Sequence, residues 1–174
     1  MYQKSDIEIL ISTMNQTNFD FLERMFLLSD YRKFNLLIIN QTSADKILIS
    51  NIECIKVFNV YESGLSKSRN LALNNATKKL LVFTDDDVVF QQKFENKIIK
   101  AFNLYPKHDG FRFQFLNSQG NLTKKYPRTF QSKLTNFEVL NTSSVELVFK
   151  RESLIEENIQ FNENFGLGTE FFMG

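Results

Sequence analysis

A chain of 174 residues with 43% hydrophobic content is long enough for one compact core and too short for several domains. Lys and Arg total 21 against 20 Asp and Glu, so the overall balance gives no electrostatic reason to expect nucleic acid or an anionic membrane as a partner. No stretch approaches the roughly 20 apolar residues of a membrane helix. The opening MYQKSDIEILIST lacks a cleavage site for a signal peptide. The expectation is a soluble, cytoplasmic protein without a transmembrane segment, with peripheral membrane association left open outside this segment.

In chain order, residues 7–13 read as a strand. Asn18 reads as the cap of a helix to about residue 28, with Phe19, Leu22, Met25 and Phe26 on one face. The apolar runs 34–39 and 54–59 are expected as strands covered on both faces. Cys54, the single cysteine, sits in the second run without a partner for a disulfide or a metal knuckle, and is expected as a buried structural thiol. After Gly64, residues 65–76 carry a helix signal, and 80–84 form a fourth strand that runs directly into Asp85. A helix over 93–104 follows, ended by Pro106. His108, the only histidine, lies in YPKHDG, where a solvated turn is expected. Residues 109–116 and 122–126, joined by SerGlnGlyAsn, read as a hairpin. A strand over 144–150, a short helix over 152–157 and a glycine-containing loop over 161–174 complete the chain. Strands alternating with helices predict an α/β fold with a mainly parallel central sheet flanked by helices, and a β-hairpin in the second half.

The chemistry concentrates at Asp85, Asp86 and Asp87. Three adjacent carboxylates repel one another, and folding alone gives no reason to place them where an apolar strand ends. The apolar LLVF before them and VVF after them pin the cluster between buried segments. In open α/β sheets, ligands bind outside the carboxyl ends of the strands. Hard divalent cations such as Mn²⁺ or Mg²⁺ need only one or two protein carboxylates when substrate phosphates supply the other oxygens.

Four segments, in order, resemble the family 2 inverting glycosyltransferases of the GT-A fold: IEILISTMN, GLSKSRNLAL, LVFTDDDVV and FNENFGLG. The resemblance spans nearly the whole chain. It implies one GT-A catalytic domain over 1–174, with a nucleotide-binding half at 1–90 and an acceptor-side half at 91–174. The implied reaction moves a sugar from a nucleoside-diphosphate donor, uridine first, to a saccharide or lipid-linked saccharide acceptor in cell-surface polysaccharide synthesis. It implies that Asp85 contacts the donor, that Asp87 and Asp85 serve the metal, and that Asp86 alternates with them, because the register Asp85-Asp86 stays open. Ser12, Thr13 and Asn15 would supply polar contacts to base and ribose. Arg69 matches the family's arginine near the nucleotide, with Lys67 beside it at a helix start that favours anions. Asn70 is expected to fix the local backbone.

The chain departs from the family in two places. Asn40-Gln41-Thr42-Ser43 stands where an Asp-Asp-Gly-Ser is common, so that Gln41 replaces an acid that accepts from the base. A carboxamide accepts through oxygen and donates through nitrogen, which leaves thymidine and guanosine donors open. The acceptor side is expected at Phe165, Gly166 and Gly168, but Glu170 is the only acid that follows Gly168. It comes earlier than the family's catalytic base, and the chain is therefore expected to be truncated. Two alternatives remain: a sugar-phosphate nucleotidyltransferase, whose Gly-rich basic signature is missing from MNQTNF, and a non-catalytic nucleotide-sugar-binding fragment.

Overall fold

The computed structural model of the protein describes residues 1–117, 119–127 and 129–164. Strands β1 (Ile7–Met14), β2 (Asn35–Gln41), β3 (Ile55–Val60), β4 (Leu80–Asp85), β5 (Gly110–Arg112) and β6 (Leu147–Lys150) form one sheet in the order β3-β2-β1-β4-β6-β5. The first four run parallel, and β6 runs antiparallel to both β4 and β5. The helices among the described residues are α1 (Asp20–Met25), α2 (Leu65–Asn75), α3 (Phe94–Leu104), α4 (Asn136–Leu140) and α5 (Arg151–Glu156).

Side-chain alternation along the strands divides the core in two. Ile7, Ile9 and Ile11 of β1, Leu36 and Ile38 of β2, and Leu80 and Val82 of β4 face the α1 and α3 side, where Phe21, Leu22, Phe94, Ile98 and Phe102 cover them. Leu10, Leu37, Ile39, Leu81 and Phe83 face the other way, under Ala72 and Leu73 of α2 and Leu154 of α5. Burial on both faces is what makes these strands read as continuous apolar runs. The phenylalanines fill the first layer by mutual contact, with Phe90 and Phe94 stacked at 4.3 Å between ring centroids and Phe26 at 4.9 Å from Phe90. Each such side chain contributes about 1.5–3 kcal/mol on burial. Glu8 is 2% exposed on β1, and its carboxylate accepts from Thr77 N and Lys78 N at 2.6 and 2.9 Å. These bonds offset its desolvation and tie the segment after α2 to the sheet.

Several expectations are corrected. The helix predicted over 18–28 is confined to Asp20–Met25, because Phe26 leaves helical geometry and its ring turns into the Phe34–Phe90 cluster. Cys54 is half-buried rather than buried, with Sγ 3.2 Å from Arg32 O. His108 is half-buried among Tyr105, Phe111 and Phe130 instead of solvated. Among the described residues of the predicted hairpin, the arms are joined by the isolated Leu116–Leu122 bridge and by bonds such as Asn117 N to Asn121 O and Thr123 N to Phe115 O, without a continuous ladder. The earlier residues of its first arm, β5, pair with β6 instead. The strand predicted over 144–150 begins with a 3-10 turn at Ser144–Glu146, and α4 was not anticipated. Its five residues are too few for a readable period.

At the edge of the sheet, Gly110 lies opposite Phe149. A Cβ at Gly110 would stand 2.3 Å from Phe149 Cδ1 and 3.1 Å from Val148 O. Gly110→Ala should therefore cost about 1–3 kcal/mol in urea unfolding, as for an overpacked site. The same change made in a Phe149→Leu background should cost less.

Candidate active site

The sheet order places β1 between β2 and β4, so the chain reverses direction across the sheet beside the carboxyl ends of β1 and β4. A crevice opens at such a switch point. Ser12 of β1 and Asp85 of β4 are direct register partners there, which brings together two segments far apart in the chain.

Each carboxylate of the cluster has a different environment. Asp85, with its side chain 32% exposed, receives Arg69 Nη2 at 3.0 Å on Oδ1 and 3.3 Å on Oδ2. Asp86 Oδ2 accepts from Thr13 Oγ1 and, at 3.0 Å, from Gln16 Nε2. Asp87 is exposed and holds no hydrogen bond or ion pair among the described residues. The strand end thus anchors two acids and leaves the third facing solvent.

Burial dominates the Arg69–Asp85 pair. Desolvation raises the Asp85 carboxyl above its ordinary value of 3.8, against the opposing pull of Arg69, and the neighbouring Asp87 and Asp86 raise it further. Desolvation likewise lowers Arg69, against the attraction of Asp85. Arg69 is 8% exposed, its Nε has no hydrogen-bond partner, and its guanidinium lies over the Phe161 ring at 5.6 Å.

The segment beginning at Phe161 is docked by Asn70. Asn70 Oδ1 accepts from Phe161 N at 2.8 Å, and its Nδ2 donates to Phe161 O at 2.9 Å and to Glu163 Oε1 at 3.0 Å. Phe161 also packs edge-on against Phe83 of β4 at 5.2 Å. The adjacent residues Arg69 and Asn70 of α2 therefore hold the acidic strand end and the FNEN segment together.

Residues 8–157 match the sequence pattern of the family described as glycosyl transferase family 2. The chain belongs to that family. No curated protein sequence matches it. Among solved structures, S. aureus TarS 1–349 is similar with a TM-score of 0.67 and 17% identity, over 93% of this chain and 52% of that one. The same figures hold for TarS 1–349 in complex with UDP. For its complex with UDP-GlcNAc the TM-score is 0.67 and the identity 18%, over 91% and 49% of the two chains. This family 2 chain thus has the GT-A fold and spans about half the length of those proteins.

Of the residues singled out in the sequence, Ser12, Thr13, Arg69, Asp85 and Asp86 meet at the crevice. Ser12 Oγ accepts from Ser68 Oγ at 2.8 Å. Asn15 adopts a left-handed φ of 54°, and its N–H donates to Gln41 O at 2.9 Å. Gln41 is 7% exposed, and its Oε1 accepts from Gly64 N at 2.6 Å. Lys67 points elsewhere, ion-paired to Glu62 at 3.0 Å on the surface. Phe165, Gly166, Gly168 and Glu170 lie outside the described residues. Sequence reasoning missed Gln16 and Asn40. Asn40 is fully buried, accepting from Gln16 N and donating to Gln16 O and Asn59 Oδ1. No local pattern reveals either, because their partners come from other strands.

Two measurements follow from this geometry. Because the folded-state value of Asp85 is raised, the unfolded chain loses that proton first, and the contribution of Asp85 to stability falls as pH rises from 3.8 through the raised value. Carboxyl NMR on metal-free protein should show Asp85 titrating above its ordinary value, and Arg69→Ala should push it higher still. Asn70→Ala removes both bonds to the Phe161 backbone and should lower stability by about 1–3 kcal/mol in thermal unfolding, with faster amide exchange at Phe161.

Proposed function

We propose that this chain is the donor-binding part of an inverting, metal-dependent glycosyltransferase that moves a sugar from a nucleoside diphosphate to a saccharide or lipid-linked saccharide acceptor, in cell-surface polysaccharide synthesis. The observation that carries the reading is the unpaired Asp87 carboxylate at the switch point, beside an Asp85 and an Asp86 that Arg69, Thr13 and Gln16 hold in place. The TarS complexes with UDP and UDP-GlcNAc support a nucleotide sugar as donor and uridine as its base.

No group of three or more His, Cys, Asp or Glu side chains gathers as a metal site among the described residues. A Mn²⁺ or Mg²⁺ would instead be held by Asp87, with Asp85 beside it, because such a cation needs only one or two protein carboxylates when a substrate supplies oxygens. It would supply Lewis-acid stabilisation of the leaving diphosphate. The chain's own contribution is positional. Thr13 and Gln16 fix Asp86, and Arg69 fixes Asp85. Gly64 N–H can only donate, so Gln41 Oε1 is committed to it, and Gln41 meets a base through its NH₂. Uracil offers carbonyl oxygens to that donor. In the transfer itself, the acceptor hydroxyl attacks the anomeric carbon from the face opposite the diphosphate. A base takes the hydroxyl proton as the diphosphate departs. Glu170, the one acid that follows Gly168, comes earlier than the resemblance places that base and is not assigned the role.

Calorimetry tests the reading. UDP should bind in the presence of Mn²⁺ and lose affinity when EDTA replaces the metal. Asp87→Ala should weaken the Mn²⁺-dependent binding by about tenfold or more while leaving the melting temperature unchanged, as expected for loss of a charged contact. Equal affinity in the variant and the parent would overturn the metal role. Release of pyrophosphate from a nucleoside triphosphate and a sugar phosphate would identify a nucleotidyltransferase instead.

A further inference from the structure

Between Gly110 and Phe137 the chain carries five basic residues, Arg112, Lys124, Lys125, Arg128 and Lys133, and no acidic one. With a net charge of only +1 for the whole protein, this is a concentration of positive charge along the sequence. Its first part is β5, the edge strand of the sheet, and Phe130 of its later part packs back against Phe111 of that strand and against Tyr105. A cavity of about 390 Å³ lies between them.

The lining is mixed in a way that suits a sugar. Tyr126 and Phe130 supply aromatic faces, Gln114 and Gln131 supply carboxamides, and Arg112 and Lys133 supply charge, with no carboxylate in the wall. Pockets of this kind bind through apolar faces and are oriented by a few polar groups. Phe130 is 49% exposed although one face of its ring stacks on Tyr105 at 4.0 Å. His108 also lines the cavity, and its buried Nδ1 has no hydrogen-bond partner.

The charges are not all spent. The Glu146 carboxylate, 1% exposed, is shared by Lys124 at 2.6 Å and Arg112 at 3.9 Å. Arg112 Nη1 also donates to Glu138 O and Thr142 Oγ1, so that these contacts clamp the returning segment to the sheet. Glu138 is turned to its own helix cap at Thr135. Lys125 and Lys133 are exposed and ion-paired to no described residue.

The placement links this cavity to the crevice. Strands β4 and β5 both run antiparallel to β6, so they point the same way, and the register sets Gly110 level with Leu81 and Phe111 level with Val82. Arg112, the next residue, is thus level with Phe83, about 10 Å across the sheet by two strand spacings, and Asp85 lies further along β4 in the direction in which β5 points.

We propose that this cavity is a subsite for an acceptor saccharide bearing anionic groups, phosphate or carboxylate. The sugar ring rests on Phe130 and Tyr126, and Lys133 meets the anion. The assignment of the ligand as an acceptor rests on the glycosyltransferase reading above, whereas the existence of the pocket does not.

His108 is the only histidine, so its imidazole NMR signals report on this cavity alone. Glucose 6-phosphate and glucuronic acid, added without metal or nucleotide, should each shift those signals saturably, and the tighter of the two identifies the preferred anion. Glucose should bind at least about fivefold more weakly, and Lys133→Glu should weaken binding of the preferred anion by at least a similar factor, the scale of an exposed charge contact. Phe130→Ala should weaken all three sugars. Lys133 is on the surface, so the fold should survive its substitution. Glucose binding as tightly as the anionic sugars, an unchanged affinity in Lys133→Glu, or no saturable response from His108 would overturn the proposal. UDP affinity with Mn²⁺, measured on the same variant, separates this idea from the donor-site reading. It should stay at the parent value, and a parallel loss would mean that Lys133 serves the donor diphosphate and that the proposal is wrong.

Discussion

The ion pair between Arg69 and Asp85 is the constraint around which the crevice end of the sheet is arranged. Asp85 ends a fully buried strand, and Arg69 rises from a helix packed over the same face. Desolvation works against both charges, and their mutual attraction offsets only part of it. Such a pair adds little net stability, yet removing one partner typically costs about 3–5 kcal/mol because the other is left buried and unpaired. The pair therefore fixes geometry more than it stabilises the fold. It sets where α2 lies relative to β4, and with that where Asn70 docks the segment at Phe161.

The second consequence concerns which acid is free. Three consecutive aspartates would repel equally if all faced solvent. The fold separates their roles by giving Asp85 a cation, Asp86 a hydroxyl and a carboxamide, and Asp87 only water. One exposed carboxylate thus stands beside two restrained ones, and the mutual repulsion of three free charges is avoided. Glu8 and Glu146 show the same economy elsewhere in the molecule. Each is almost fully buried, and each joins a returning segment to the sheet through donors supplied by the backbone or by lysine.

The outer half of the sheet follows different rules. Parallel strands β1 to β4 are covered on both faces, whereas β5 and β6 are short, antiparallel and half-buried at several positions. Their pairing depends on Gly110, which leaves room for Phe149, and on the Arg112–Glu146–Lys124 contacts. An edge held by side-chain contacts more than by a continuous ladder has a shape set by a few residues.

Much of this was legible in the chain. The four parallel strands and α2 and α3 were predicted within a residue or two, because a strand buried on both faces must be continuously apolar and a packed helix must repeat its apolar positions. The acids at the end of β4 were visible for the same reason, being polar groups where an apolar run should have ended quietly. The four ordered motifs also pointed to the family that residues 8–157 match. The sequence could not show which acid would be free, that Gln41 would spend its oxygen on Gly64, or that Gln16 and Asn40 would hold the crevice, since each depends on partners at least 20 residues away in the chain. It also misjudged residues 109–126, where local turn chemistry favoured a hairpin and the free edge of β6 competed for the same strand. Periodicity is a property of a single segment, whereas pairing is decided between segments. The tertiary structure alone could therefore assign β5 to β6, place Phe161 on Asn70, and leave Asp87 open to solvent.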